Sequence, residues 1–258
     1  MMHDIINTNI IDLIKKYPPI EQHLAAFEIG CVTCSLGTCK LGDVVEIHNL
    51  SVAQEKELMS KIAKTVFPGQ EVELPVSERK QSSTDKSIIP PVRELIDEHR
   101  VIKRLIAVIP SITEKAILEQ ESDYQLYKEI LTFIADYADG FHHAKEEKIL
   151  FDYFDKDSDI ITSFLKEHET GRSYVRNARE ALESADLATL RENLIGYATL
   201  LKEHIQKEDE ILFPWMNRSL SDNQVGMLFS RFGNTNKEYQ TIAAEQKKVI
   251  DELENRFG

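Results

Sequence analysis

Two stretches of this sequence share one pattern: HHAKEEKILF at residues 142–151 and HIQKEDEILF at residues 204–213. Both read His-x-x-Lys-Glu-acid-x-Ile-Leu-Phe. The shared His and Glu are four positions apart, so on a helix they lie on one face and can ligate a common centre. Neutral imidazole and carboxylate suit iron, manganese or zinc, and a carboxylate can bridge two ions. The repeat therefore predicts two helices that each present a histidine and a glutamate to a metal site.

A second, shorter match links the neighbouring segments: DEHR at residues 97–100 and KEHE at residues 166–169. The chain therefore has an internal two-fold echo, in which a first and a second helix resemble a third and a fourth. Pro110 is expected to kink or break the first helix. Helical periodicity and short polar turns predict an all-α, up-down-up-down four-helix bundle with an extra C-terminal helix. The predicted helices lie near residues 92–120, 124–154, 158–184, 187–217 and 221–255.

The echo also predicts the height of each histidine in the bundle. In an antiparallel pair of helices, residues equidistant from the connecting turn lie at the same level. The histidines of the four helices, in order, are His99, His142, His168 and His204. The sequence midpoint between each consecutive pair falls in or beside one of the three predicted turns, so all four are expected at one level. A single His-x-x-x-Glu is commonly a surface pair, but two copies with a shared tail and two further histidines at one level favour a metal site.

Residues 90–217 resemble the hemerythrin HHE cation-binding family, and most closely the di-iron proteins called repair of iron centres. Those proteins carry one His on helices one and three and His-x-x-x-Glu on helices two and four. The resemblance implies two non-haem iron ions, each with two histidines, joined by bridging carboxylates and an oxo or hydroxo group. It implies the following ligands in this sequence: His99, His142, Glu146, His168, His204 and Glu208.

Some positions depart from the family pattern or leave the ligand set open. Oxygen-carrying hemerythrins have a second His one turn after the first on helix three, where this chain has Arg172, so a five-histidine oxygen carrier is not expected. They also use an acid five residues after the helix-four His, a role that Asp209 could fill. On helix two, His143 and Glu147 form an alternative ligand pair, rotated by about 100° from the first. The match with helix four favours the first pair.

A small helical domain is predicted at residues 1–67, followed by a linker at 68–89. Residues 77–86 of the linker contain no apolar side chain, which is typical of a flexible connection. The bundle domain then covers residues 90–258. Within the first domain, helices are predicted at residues 9–16, 20–29, 41–48 and 51–66.

Three cysteines lie within nine positions of the first domain: Cys31, Cys34 and Cys39. This local cluster indicates metal or redox chemistry rather than structural disulfides. The segment resembles a small helical domain found in anaerobe redox proteins and ahead of hemerythrin-like domains. Three interpretations stay open: an iron–sulfur or zinc site completed by His48 or by the second copy in a homodimer, a dithiol redox pair, or idle cysteines.

Composition and charge indicate which classes of partner to exclude and which cellular compartment to expect. A net charge of −13 over 258 residues argues against nucleic acid, because phosphate binding depends on clustered Lys and Arg. No apolar stretch has the length of a membrane span, so no membrane partner is expected. The first residues lack the basic and apolar regions of a signal peptide, and the expected compartment is the cytoplasm.

The resemblance predicts a protein of the nitrosative and oxidative stress response. Its function would be to handle nitric oxide or oxygen species or to repair iron–sulfur clusters, with iron–sulfur proteins as partners. Its ligand would be a small diatomic molecule, oxygen or nitric oxide, and an enzymatic activity would be of the di-iron nitric oxide or peroxide reductase type. The alternative is an oxygen- or iron-binding, sensing or storage module without catalytic turnover.

Overall fold

The computed structural model describes residues 2–27, 29, 40–48, 50–70, 72–74, 88–118 and 120–258. Cys31, Cys34 and Cys39 lie outside the described residues, as does most of the predicted linker. The described residues contain no strand. Their one isolated bridge joins Asn9 and Lys40 in antiparallel fashion.

The N-terminal part consists of short helices with clear local start signals. The side chain of Asn9 accepts hydrogen bonds from two backbone amides of the second helix, and Ser51 forms a reciprocal capping box with Gln54 at the start of the fifth. The helices are α1 (Met2–Ile6), α2 (Ile10–Lys16), α3 (Pro19–Ala25), α4 (Leu41–Ile47) and α5 (Val52–Val66).

The bundle is formed by four antiparallel helices and a long C-terminal helix. The last helix, α11 (Asp222–Phe257), packs along the first and second bundle helices. The first and third bundle helices are α6 (Pro90–Lys115) and α8 (Asp159–Glu183). The second comprises α7 (Glu121–Phe133) and its continuation through Tyr153, and the fourth comprises α9 (Leu187–Lys207), a turn at Glu208–Leu212 and α10 (Phe213–Ser219).

Pro110 does not break the first bundle helix, which runs without interruption through it. Proline removes one backbone donor, so the interruption expected from the sequence has a physical basis. The flanking Ile109 and Ile112 are fully buried in the core. Tertiary packing of these neighbours holds the helix together across the missing hydrogen bond.

Wider π-helical turns interrupt both helices that carry the repeated motif. The second bundle helix is π-helical over Ile134–His143 and again over Glu146–Leu150, and the fourth over Glu208–Leu212. In both copies a five-residue π segment begins at the motif glutamate. Such turns occur frequently at functional sites.

The apolar core is divided into two clusters. The base cluster contains Phe151, Phe164 and Phe213 from one end of the bundle, and Leu58 and Ile62 from α5. The upper cluster fills the other end of the bundle and includes the following buried residues: Ile109, Tyr127, Ile130, Leu194 and Leu253. Between them lies a layer of histidines and carboxylates. The base cluster is continuous across the boundary between the two predicted domains.

None of the described helices combines the length and the apolar character needed to cross a bilayer.

Candidate metal centre

Seven ionisable side chains are buried together in the middle of the bundle. They fall into two groups, and within each group the potential ligand atoms lie within 4.8 Å of one another. The first group is His99, His142, Glu146 and Glu208, and the second is His143, His168 and His204. Every member of both groups is buried.

The four histidines predicted from the sequence come together in two pairs. The rings of His99 and His142 have centroids 4.6 Å apart, and those of His168 and His204 are 4.7 Å apart. The Nε2 atoms of His168 and His204 are separated by 2.9 Å. Two nitrogens bound at right angles to an ion at 2.0–2.1 Å would be about 3 Å apart, so this separation fits a shared metal ion.

Each buried glutamate spans the two pairs. Oε2 of Glu208 lies 3.2 Å from Nε2 of His99, and its Oε1 lies 3.2 Å from Nε2 of His204. Oε1 of Glu146 lies 3.6 Å from Nε2 of His142, and its Oε2 lies 3.5 Å from Nε2 of His168. Both carboxylates are therefore placed to bridge two ions.

Unsatisfied polar atoms test whether this group of residues fits metal ions. The buried Nε2 atoms of His99 and His142, and both oxygens of Glu146 and of Glu208, have no partner in hydrogen-bond geometry. Buried polar atoms are normally hydrogen-bonded, and leaving one unpaired costs about 1–3 kcal/mol. Six such atoms facing one another fit a site that metal ions complete.

The two glutamates also differ in their pKa values in the absence of metal. Burial, reinforced by the neighbouring Glu208, raises the pKa of Glu146 well above its usual value. Burial opposes ionisation of Glu208 too, but the imidazoles of His204 and His99 outweigh it and lower its pKa. Two adjacent buried carboxylates repel each other when both are ionised, and bound cations would remove that repulsion.

An outer carboxylate and a cation hold the ring of each histidine on helices two and four. Nδ1–H of His142 donates to Oε2 of Glu98 (2.9 Å), and Nζ of Lys145 donates to the other oxygen of Glu98. His204 repeats this arrangement, because its Nδ1–H donates to Glu167 (2.8 Å) and Lys207 donates to the same carboxylate. These partners fix the ring orientation and direct Nε2 to the centre.

The histidines on helices one and three follow the same rule. Nδ1–H of His99 donates to Asp209 (2.7 Å), which also accepts from Lys103 (2.6 Å). Nδ1–H of His168 donates to Glu147 (2.7 Å), which also accepts from Arg172 (2.7 Å). We refer to each such unit as a histidine–carboxylate–cation chain. The two-fold echo of the sequence thus extends to these outer residues.

The structure assigns different positions to the two candidate pairs on helix two. His142 and Glu146 lie in the first group, whereas Glu147 lies outside both groups and binds His168. His143 nevertheless faces the second group, so both adjacent histidines point inward. Sequence reasoning treated them as exclusive alternatives, and the His-His dipeptide was the signal that both could contribute. Asp209 likewise supports His99 from outside.

A cavity of about 270 Å³ reaches the second group from the bundle surface. Tyr197 is buried beside it, and its hydroxyl has no hydrogen-bond partner among the described residues. Much of the wall is apolar, and three arginines (Arg172, Arg176 and Arg179) also line the cavity. The principal apolar side chains of the wall are Ile134, Val175, Leu200 and Leu201. A small molecule can therefore approach the histidines on this side.

Comparison with known protein families matches residues 91–216 to the hemerythrin HHE cation binding domain. No curated protein and no solved structure matches the chain. The matched segment covers all but the outer ends of the first and fourth bundle helices, and it contains both groups of buried ligand atoms. Residues 91–216 of this chain therefore belong to the hemerythrin HHE cation-binding family.

Proposed function

We propose that residues 91–216 bind two iron ions and use them to handle a small diatomic ligand, oxygen or nitric oxide. The proposal rests above all on buried imidazole and carboxylate atoms that face one another without hydrogen-bond partners. When bound, the iron pair supplies the redox chemistry of the site. The proposed ligands are His99, His142, Glu146, His168, His204 and Glu208.

The residues of the chain have separate tasks in this proposal. Glu146 and Glu208 would each hold both ions, and each of the four histidines would offer its Nε2 while its Nδ1 is held by an outer carboxylate. Mixed imidazole and carboxylate ligands are suited to iron and to two-ion centres, whereas a closed structural zinc site has four ligands around one ion.

Aromatic rings exclude water from the base of the centre. Phe213 stacks on His99 with ring centroids 5.4 Å apart, and Phe151 stacks on His168 at 6.5 Å. Both phenylalanines are fully buried in the base cluster. A dry environment on this side strengthens electrostatic interactions at the metal ions and leaves the cavity as the route for a ligand.

The cavity favours a site for exogenous ligands over a purely structural metal site. A structural site needs no access route, and here a route ends at His168 and His204. We propose that the protein acts in the cytoplasm in nitrosative or oxidative stress, as the resemblance to repair-of-iron-centres proteins implies. Iron–sulfur proteins are then its proposed partners, and binding or storage without turnover is the alternative.

Iron content and gas reactivity test this function. We expect two irons per chain in anaerobically loaded protein, and the His23→Gln variant should match the wild type because His23 bonds Thr65, outside the segment that holds the proposed ligands. In stopped-flow experiments, a spectral change with oxygen that reverses on degassing would identify a carrier. Release of nitrous oxide after nitric oxide addition would identify an enzyme. If neither gas perturbs the iron, gas handling is excluded and storage is favoured.

A further inference from the structure

The cavity beside the second group is larger than a diatomic ligand requires. Its volume is about 270 Å³. A closed apolar cavity of about 150 Å³ is already enough to hold benzene. The lining residues on the third bundle helix run from His168 up to Arg179. At 1.5 Å per residue, these two positions are about 16 Å apart along the helix axis. The cavity therefore has the volume and the length for an organic molecule with a ring and a polar group.

A buried hydroxyl without a partner belongs to the wall of this cavity. Tyr197 is 3% exposed, and its hydroxyl makes no hydrogen bond within the part of the chain that the structure describes. Burial, reinforced by the charge of Asp139, raises the pKa of Tyr197, so the hydroxyl keeps its proton and remains a donor. Buried donors are normally paired, because an unpaired one opposes folding. The hydroxyl of Tyr197 therefore suits a ligand atom that accepts a hydrogen bond.

An arginine at the upper end of the cavity supplies a positive charge near this hydroxyl. Arg179 is exposed, and its guanidinium donates to the backbone carbonyl of Leu131 at 3.4 Å. Among the described residues, no carboxylate pairs with it. Tyr197 lies two turns before His204, and Arg179 lies three turns after His168 on the antiparallel neighbouring helix. Because those two histidines are side by side, the hydroxyl and the guanidinium are on the same side of them, about 6 Å apart in height.

The two carboxylates that line the cavity are both neutralised by cations. Asp139 accepts from Arg172 at 2.9 Å, and Glu167 accepts from Lys207. The charge that remains available to a ligand is therefore positive. A guanidinium and a hydroxyl together are well suited to a carboxylate, which can accept from both. The rest of the wall is largely apolar, so a ligand also needs an apolar body.

We propose that this cavity binds a small organic monocarboxylate. Its carboxylate accepts hydrogen bonds from the hydroxyl of Tyr197 and the guanidinium of Arg179. Its apolar body lies below them, along Leu200 and Leu201, and extends towards the histidines. This inference goes beyond the proposed gas chemistry, since it assigns a second ligand to the protein. The bound carboxylate would also occupy the route by which a gas reaches the centre.

Calorimetric titration of the full-length chain with benzoate tests the proposal. Two further probes separate the parts of the ligand: benzamide keeps the shape without the charge, and acetate keeps the charge without the ring. We expect benzoate to bind at least about 10-fold more tightly than either probe, because hydrogen bonds to a charged group and burial of a ring both contribute on that scale. Equal affinities for the three probes, or no binding of benzoate at millimolar concentration, would overturn the proposal.

Variants of the two anchoring residues locate the carboxylate. Tyr197→Phe should weaken benzoate binding by about 10-fold or more, yet leave the unliganded protein at least as stable in urea, because it removes only an unsatisfied hydroxyl. Arg179→Gln should weaken binding by up to about 5-fold, since the arginine is exposed. Arg93→Gln is the control, because this exposed arginine also donates to a backbone carbonyl but does not line the cavity. Wild-type affinity in both Tyr197→Phe and Arg179→Gln would overturn the proposal.

The iron content of the wild type separates binding in the cavity from coordination to the metal. We expect benzoate to bind iron-loaded and iron-free protein with the same affinity and to leave the absorption spectrum of the iron unchanged. Binding that requires iron and changes its spectrum would place the carboxylate on the metal and overturn the proposal. Failure of the chain to bind iron would instead overturn the proposed function, while benzoate binding would remain as expected.

Discussion

The half of the centre that holds His99 and His142 and the half that holds His168 and His204 follow one plan. In each half, a phenylalanine stacks on one histidine, a π-helical turn begins at the glutamate, and both rings are held by carboxylates. They differ in that the second half includes His143 and adjoins the cavity that His168 and His204 line. In the proposed function the shared features hold the metal pair, and the differences set the side from which a ligand reaches it.

The largest expected effect comes from the two bridging carboxylates, whose equivalence can be tested directly. Glu146→Ala and Glu208→Ala should each reduce bound iron from two per chain to one or fewer, because each glutamate contacts both halves. Iron content by mass spectrometry or colorimetry measures this loss. Glu210→Ala, at an exposed position nearby, is the control. Retention of two irons by either glutamate variant would contradict the proposed bridging.

Removing the buried lysine of each half should lower the free energy of unfolding by different amounts. Lys145 is fully buried between Glu94 and Glu98, whereas the Lys207 side chain is 11% exposed. Lys145→Ala should lower the free energy of unfolding of the metal-free protein by about 3 kcal/mol, because removing one member of a buried ion pair leaves the other uncompensated. Lys207→Ala should cost less. Urea denaturation measures both, and equal losses would show that burial does not distinguish the two sites.

The loss of unfolding free energy in Lys145→Ala should depend on pH. Burial raises the pKa of Glu98 to about 7 despite the opposing charge of Lys145. A carboxyl whose folded pKa is raised contributes stability that is present below its unfolded pKa and is lost as pH rises through the folded value. In Lys145→Ala the pKa of Glu98 should rise further, so the destabilisation should be greater at pH 8 than at pH 5. Urea denaturation at the two pH values checks the sign, and a larger loss at pH 5 would contradict it.

The outer carboxylates should affect metal affinity in both halves alike. Glu98→Gln and Glu167→Gln should each weaken iron binding by about 10–100-fold, because each removes the charged acceptor of a ligand histidine. Competition with a chelator of known affinity measures the change. Glu169→Gln, whose side chain is 58% exposed and pairs with Arg176, is the control. An effect confined to one half would show that only that half depends on its outer carboxylate.

The smallest effects are expected from the outermost cations. Arg172 contacts both Glu147 and Asp139, whereas Lys103, whose side chain is 46% exposed, pairs with Asp209. Exposed ion pairs contribute about 0–1 kcal/mol. Arg172→Gln should therefore destabilise the protein by up to about 1 kcal/mol and Lys103→Gln by less, in thermal or urea denaturation. The reverse order would show that contacts of Arg172 on the cavity side are not stabilising.

Much of the bundle could be predicted because amphipathic helices have apolar residues at regular helical spacing. Apolar spacing and polar turns gave the all-α bundle, and the family match confirms the hemerythrin-like domain. Of the kink or break expected at Pro110, the break does not occur, since packing of the neighbouring isoleucines overrides the local signal. The six-ligand set stays a prediction that the described geometry supports.

Other features of the centre depend on three-dimensional register and could not be read from spacing. A π-helical turn changes hydrogen bonding by one residue, and a periodicity argument cannot resolve so small a shift. The pairing of Glu98 with His142 crosses two helices, although the repeated Glu-His and His-x-x-Lys patterns were visible in both halves. The same limit explains why His142 and His143 were treated as alternatives.

The continuity of the base cluster has a practical consequence for anyone who isolates the HHE segment. Phe151 and Phe213, whose rings stack on two of the histidines, share that cluster with buried side chains of α2, α3 and α5. A truncated protein that began at residue 88 would lose these helices and expose the apolar surface that they cover, which promotes self-association. In such a fragment water would reach the base cluster beneath the histidines. Iron affinities and gas kinetics should therefore be measured on the intact chain.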